Sequence, residues 1–173
     1  QGMILDLRDN PGGYFQTAID VASEFLEVGQ VVVSERIRDQ EPEIYKVTRR
    51  GLATDVPLVV LVNGGSASAA EIVAGAIRDN GRGTLIGETT YGKGSVQNVH
   101  TLSDGSSLRV TVARYYLPSG DNLDGQGLEP DVAVGFAQED IHLLIYAMLK
   151  QTHADDLNRL SPYYETDWMD TSG

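Results

Sequence analysis

The chain has 173 residues, with 13 Lys and Arg against 25 Asp and Glu for a net charge of −12, and it has no cysteine. That length predicts one domain with a real hydrophobic core, while the acidic balance and scattered basic residues exclude a nucleic-acid surface, which needs a cationic face. Without cysteine there are no disulfides, thiolate nucleophiles or cysteine–zinc sites, and the three separated histidines, His100, His142 and His153, offer neither a metal cluster nor a His-based triad.

Residues 3–7 form an apolar run bounded by Asp9-Asn10-Pro11-Gly12-Gly13, which predicts a strand and then a tight loop. A strand with no lead-in suggests a piece of a longer protein, whose targeting segment would lie upstream. Phe15, Ala18, Ile19, Ala22, Phe25 and Leu26 recur at three- and four-residue spacing before Gly29, so a helix is predicted over 14–26. Residues 31–37 and 43–48 flank Asp39-Gln40-Glu41-Pro42 and read as a hairpin projecting from the body. Residues 57–62 are almost wholly apolar, the mark of a central parallel strand. Asn63-Gly64-Gly65-Ser66-Ala67-Ser68 follows, then a helix carried by Ala69, Ile72, Val73, Ala76 and Ile77. A short strand is predicted at 84–86, a glycine-punctuated loop at 87–94, and a second hairpin from 96–102 and 108–117. A Gly- and Asp-rich loop runs to Pro130, and a last helix is predicted over 139–157 before an acidic, exposed tail. Strands alternating with helices define an α/β chain with a mostly parallel sheet and β-hairpin additions. No 18-residue apolar run exists to span a membrane.

Three segments could carry chemistry. A serine on a tight turn opening a helix exposes its hydroxyl beside backbone N–H groups that can receive an oxyanion. Ser68-Ala69-Ala70-Glu71 equally fits the capping box S-x-x-E, in which Ser68 only caps the helix. The pattern is not G-x-S-x-G. Lys93 lies between Gly92 and Gly94, where the backbone can tuck its amine inward. Burial would disfavour the ammonium and leave an amine able to take a proton from serine; the other reading is a solvated loop lysine. Because the glycine follows the lysine, the phosphate-binding G-x-x-x-x-G-K-[ST] pattern is absent. Gly12 and Gly13 allow close approach of backbone N–H groups to a ligand, or only connect strand to helix.

In order, Asp6-Leu7-Arg8-Asp9-Asn10-Pro11-Gly12-Gly13, Val62-Asn63-Gly64-Gly65-Ser66-Ala67-Ser68-Ala69-Ala70-Glu71-Ile72, and Gly87-Glu88-Thr89-Thr90-Tyr91-Gly92-Lys93-Gly94-Ser95-Val96-Gln97 resemble the carboxyl-terminal processing peptidases, or tail-specific proteases. The 25 residues from Ser68 to Lys93 and the downstream Pro118-Ser119-Gly120 and Gly125-Gln126-Gly127-Leu128-Glu129-Pro130-Asp131 fit the same family. The resemblance implies a ClpP/crotonase-like core over 1–135, with 136–173 as a C-terminal helix and tail of the same domain. It places Ser68 on the nucleophile, Lys93 on the general base and Gln97 on the residue that orients it. Ala69 and Gly12 or Gly13 would supply the oxyanion hole.

It further implies a serine endopeptidase cutting protein substrates near their C-termini, with no metal or cofactor, in an extracytoplasmic compartment such as a periplasm or cell envelope. A homo-oligomer is left open. A non-catalytic peptide-binding or scaffold module on the same fold is the alternative. Two departures stand out: the family's PDZ domain and opening segment are missing, and Asp121 occupies a position that is commonly basic. The first implies that this segment alone is a poor protease. Lys93 and Gln97 would also lie about 13 Å apart in a straight strand, so the chain must bend near Gly94 for them to meet.

Overall fold

The computed structural model describes residues 2–135; the helix expected over 139–157 and the acidic tail lie outside the described residues. In chain order the elements are β1 (Met3–Asp6), α1 (Phe15–Ser23), β2 (Val31–Ile37), β3 (Glu43–Lys46), β4 (Leu58–Val62), α2 (Ala69–Asp79), β5 (Thr84–Gly87), β6 (Ser95–Thr101), β7 (Ser107–Tyr116) and β8 (Val132–Ala133). The strands form two four-stranded sheets, β1-β4-β5-β8 and β3-β2-β7-β6. The first is parallel throughout and the second antiparallel throughout. The expected α/β class holds, and the hairpin additions make up the second sheet.

The β2–β3 hairpin does not project freely as the sequence suggested. Ser34 lies opposite Tyr116 and Ile37 opposite Ala113, which fuses the two hairpins into one sheet. The reason is apolar: Val32 and Val33 at the start of β2 are fully buried. β4 is buried along nearly its whole length, as a central parallel strand should be. α2 packs on β5 and on β2, and α1 packs on α2 and β2, so the helices fill the space between the sheets. Leu26, Ile77, Leu85, Leu128 and Val60 are among the fully buried side chains there. Phe15, opening α1, meets Tyr45 edge-on at 4.9 Å and stacks on Tyr115 at 5.0 Å between ring centroids. That burial pushes the Tyr115 hydroxyl up to about 12.

α1 ends three residues before the predicted boundary. Phe25 and Leu26 remain buried, but their segment turns, with the Phe25 N–H donating to the Ala22 carbonyl at 3.1 Å. β8 was not foreseen, since two residues leave no periodicity to read.

One cation ties distant loops to this core. The Arg82 guanidinium donates to the carbonyl oxygens of Phe25 (2.9 Å), Ala53 (2.5 Å) and Val56 (2.5 Å). Removing it leaves three half-buried acceptors without their donors. Arg82→Met is therefore expected to cost about 3 kcal/mol, and Arg82→Lys somewhat less, because an ammonium lacks the planar fork. Urea unfolding of the two variants beside the wild type checks the ranking.

Candidate active site

Three loops meet at the carboxyl ends of adjacent parallel strands, where open α/β sheets bind ligands. They follow β1 (residues 9–13), β4 (63–68) and β5 (88–94). Backbone bonds join them: the Ala67 N–H donates to the Asn10 carbonyl, and the Tyr91 N–H to the Ser66 carbonyl, both at 2.9 Å. Asn63 adds a side-chain link, accepting the Asp9 N–H on Oδ1 at 2.9 Å and donating from Nδ2 to Asp9 Oδ1 at 3.0 Å. Just before the first loop, Arg8 donates to Asp6 and so holds the Asp6 carboxyl below the ordinary carboxylate range. The stabilisation from that depressed value is present at neutral pH and is lost as the pH falls through it.

The two serines of the second loop differ sharply. Ser66 is fully buried; its Oγ donates to the Leu7 carbonyl at 2.7 Å and accepts the Asn63 N–H at 3.0 Å. Its hydroxyl is committed to holding the turn against β1. Ser68 is half-buried, and its backbone sits at φ 56°, ψ −116°. An ordinary helix cap has extended backbone. This conformation is nearly exclusive to glycine and costs a serine about 1–3 kcal/mol. The turn thrusts the Ser68 side chain out at the N-terminus of α2, ahead of the Ala69 N–H, which has no carbonyl behind it in the helix.

What holds the strained turn is Glu71. Both halves of the capping box are formed: the Ser68 side chain accepts from the Glu71 N–H, and the Ser68 N–H donates to Glu71 Oε2 at 2.7 Å. The carboxylate does much more than cap. It is fully buried and also accepts the Lys93 N–H on Oε2 at 2.9 Å, the Gly92 N–H on Oε1 at 2.7 Å, and the Thr90 hydroxyl on Oε1. Four donors converge on one carboxylate, and they come from both the serine turn and the lysine loop. Sequence reasoning saw only the local S-x-x-E half of this.

The remaining candidates divide. Gly12, at φ 100°, lies so close to the serine turn that a Cβ there would come within 2.9 Å of the Ser68 Cβ and of the Ala69 nitrogen. The Gly12 N–H, however, donates to Asn10 Oδ1 at 2.9 Å, while Gly13 is exposed. Lys93 has its backbone pinned by Glu71 but its side chain is exposed. Among the described residues no hydrogen bond joins its ammonium to Ser68 or Gln97. Gln97 is exposed on β6, at a register irregularity between Val96 and Gln97, and donates to Thr111 Oγ1 at 3.5 Å. His100 lies in β6, in an exposed strand segment, away from these loops. Among the described residues no group of three or more His, Cys, Asp or Glu could hold a metal ion, and no helix is long and apolar enough to cross a membrane.

A strained serine at the carboxyl end of a parallel strand, heading a helix whose Ala70 N–H donates to the Ala67 carbonyl while that of Ala69 stays open, is an arrangement that acyl-transfer enzymes on α/β folds also use. The profile of Peptidase family S41 matches residues 1–134, and the chain belongs to that family. It is 44% identical over 134 residues to a carboxy-terminal-processing protease of Bartonella bacilliformis, covering 78% of this chain and 31% of that protein. It is 49% identical over 132 residues to the chloroplastic carboxyl-terminal-processing peptidase 2 of Arabidopsis thaliana, covering 74% and 25%. The solved photosystem II D1 C-terminal processing protease superposes with a TM-score of 0.70 at 42% identity, over 78% of this chain and 34% of that one. The chain thus spans about a third or less of the length of these relatives.

Proposed function

We propose that this chain is the catalytic core of a serine endopeptidase that cuts protein substrates near their C-termini. The observation that supports this most is the strained Ser68 turn, tied through the buried Glu71 to the backbone of Lys93. Strain of this kind persists only where the surrounding structure holds it in place, and it clusters at active sites. In this reading Ser68 Oγ attacks the scissile carbonyl while Lys93, as the neutral amine, takes its proton. The tetrahedral oxyanion is received by the N–H groups of Ala69 and Gly13, since that of Gly12 is engaged by Asn10. Lys93 then protonates the leaving amine, and water hydrolyses the acyl-enzyme by the same pair in reverse.

The exposed Lys93 side chain swings toward Ser68 when substrate is bound, as catalytic hydrogen bonds tighten in the Michaelis complex; Gln97 steadies the amine there. The partner is an extended protein segment, and the compartment is extracytoplasmic, as the family resemblance implies.

A fluorophosphonate probe applied to the full-length protein should label Ser68, read by mass spectrometry of the modified peptide. Lys93→Arg should abolish labelling while the fold stays intact, because a guanidinium keeps the charge but cannot accept the proton. Full loss of proteolysis on probe treatment with Ser68 left unmodified would refute the assignment. A protein with neither labelling nor proteolysis would be a scaffold module.

A further inference from the structure

The closing loop between β7 and β8 fits the lysine loop too closely to be a mere connection. The Thr90 N–H donates to the Leu128 carbonyl at 3.1 Å, and the Leu128 N–H returns to Thr90 Oγ1 at 2.7 Å. The Gly125 N–H donates to the Gly92 carbonyl at 2.9 Å. Asn122 Nδ2 reaches the Gly94 carbonyl at 3.1 Å, and Ser95 Oγ donates to Asp124 Oδ1 at 3.1 Å. Every residue of 90–95 except Tyr91 and Lys93 is therefore held by this loop. Tyr91 and Lys93 are both exposed, and the Lys93 N–H donates to Glu71 instead.

The glycines on both sides follow from that fit. A Cβ at Gly92 would lie 2.6 Å from the Gly127 nitrogen, and one at Gly94 would lie 2.6 Å from the Asp124 nitrogen. A Cβ at Gly127 would overlap the Thr90 carbonyl oxygen. The two backbones interlock with no room for side chains between them. Thr90 is the joint: its hydroxyl accepts from Leu128 and donates to Glu71, the carboxylate that also holds the Ser68 N–H.

We propose that the loop from Asn122 to Leu128 is a positioning element for the catalytic lysine, setting the backbone of 90–95 at the height from which the Lys93 amine reaches Ser68. This rests on the Ser68–Lys93 reading above. In this role the loop acts through its bonds to Thr90, Gly92, Gly94 and Ser95. A backbone displacement of about 1 Å at Lys93 would be expected to slow the chemical step by roughly a hundredfold while leaving substrate binding almost untouched.

The test uses the full-length protein and fluorescein-labelled β-casein, with kcat and KM measured separately. Gly127→Ala is expected to lower kcat about a hundredfold with KM changed less than about threefold. Gly120→Ala is the control: at φ 92° it carries comparable backbone strain, but nothing lies within 4 Å of its added methyl. It should keep kcat within about threefold. If Gly127→Ala does not fold by circular dichroism, Asp124 decides. Asp124→Ala should lower kcat about tenfold, and Asp124→Asn, whose Oδ1 still accepts from Ser95, should restore it. Equal kcat losses in Gly127→Ala and Gly120→Ala would overturn the proposal, as would an Asp124→Asn variant no better than Asp124→Ala. If Ser68→Ala is inactive while Gly127→Ala and Asp124→Ala match the wild type, the positioning role alone falls. If Ser68→Ala is fully active, the dyad reading falls and takes the positioning role with it.

Discussion

Replacing Ser68 by alanine in the full-length protein is expected to lower kcat by about 10⁴-fold or more, as loss of a catalytic nucleophile does elsewhere. Replacing Ser66, two residues away, should leave the chemistry standing and weaken the fold instead. The buried Ser66 hydroxyl bridges the Leu7 carbonyl and the Asn63 N–H, so its loss strands one donor and one acceptor and should cost about 2 kcal/mol. Proteolysis of an unstructured protein, measured beside urea unfolding, separates the two effects. Ser68→Ala should fall in the first assay and Ser66→Ala in the second; the opposite pattern would move the nucleophile to Ser66.

Glu71 is expected to show the largest stability effect of any single residue at the site. Glu71→Leu leaves four donors with no acceptor, two in buried bonds from Thr90 and Gly92 and two in part-buried bonds from Ser68 and Lys93. At a minimum of about 1 kcal/mol each, the cost is roughly 4 kcal/mol. Glu71→Gln keeps one acceptor oxygen but turns an amide NH₂ toward N–H donors, so about half that loss is expected. Both variants should also lose activity even at temperatures where circular dichroism shows them folded, because the serine turn and the lysine loop lose their common tether. A folded Glu71→Leu protein with wild-type stability and turnover would contradict this account.

The elements that sequence pattern revealed are those with long apolar periods. Ala69, Ile72, Val73, Ala76 and Ile77 marked α2, and the unbroken apolar stretch of β4 marked a central parallel strand. Side-chain pattern says little about which hairpins will join, so the pairing of β2 with β7 was hidden. The site divides in the same way. Serine has no preference for φ 56°, and only the completed turn forces it there. The Asn10–Gly12 bond is a local Asx turn that Asn-x-Gly composition could have signalled. The hub at Glu71 could not be read, because three of its donors are backbone N–H groups and every residue type except proline carries one. The Gly-Lys-Gly triplet suggested a backbone able to tuck the lysine amine inward. In the structure the glycines mark where another backbone lies across the loop.

The thread from Ser68 through Glu71 and Thr90 to Leu128 also has a bearing on timing. Ser68 can bear its strained backbone only while Glu71 is held by Thr90, Gly92 and Lys93, and Thr90 in turn is bonded to Leu128. On a ribosome, Leu128 emerges long after the serine it helps to secure. A partly made chain lacks these contacts, so on the proposed reading its Ser68 is expected to be unreactive until they form. On the same reading, Ser68 reactivity in a refolding experiment is expected to lag behind the recovery of helix.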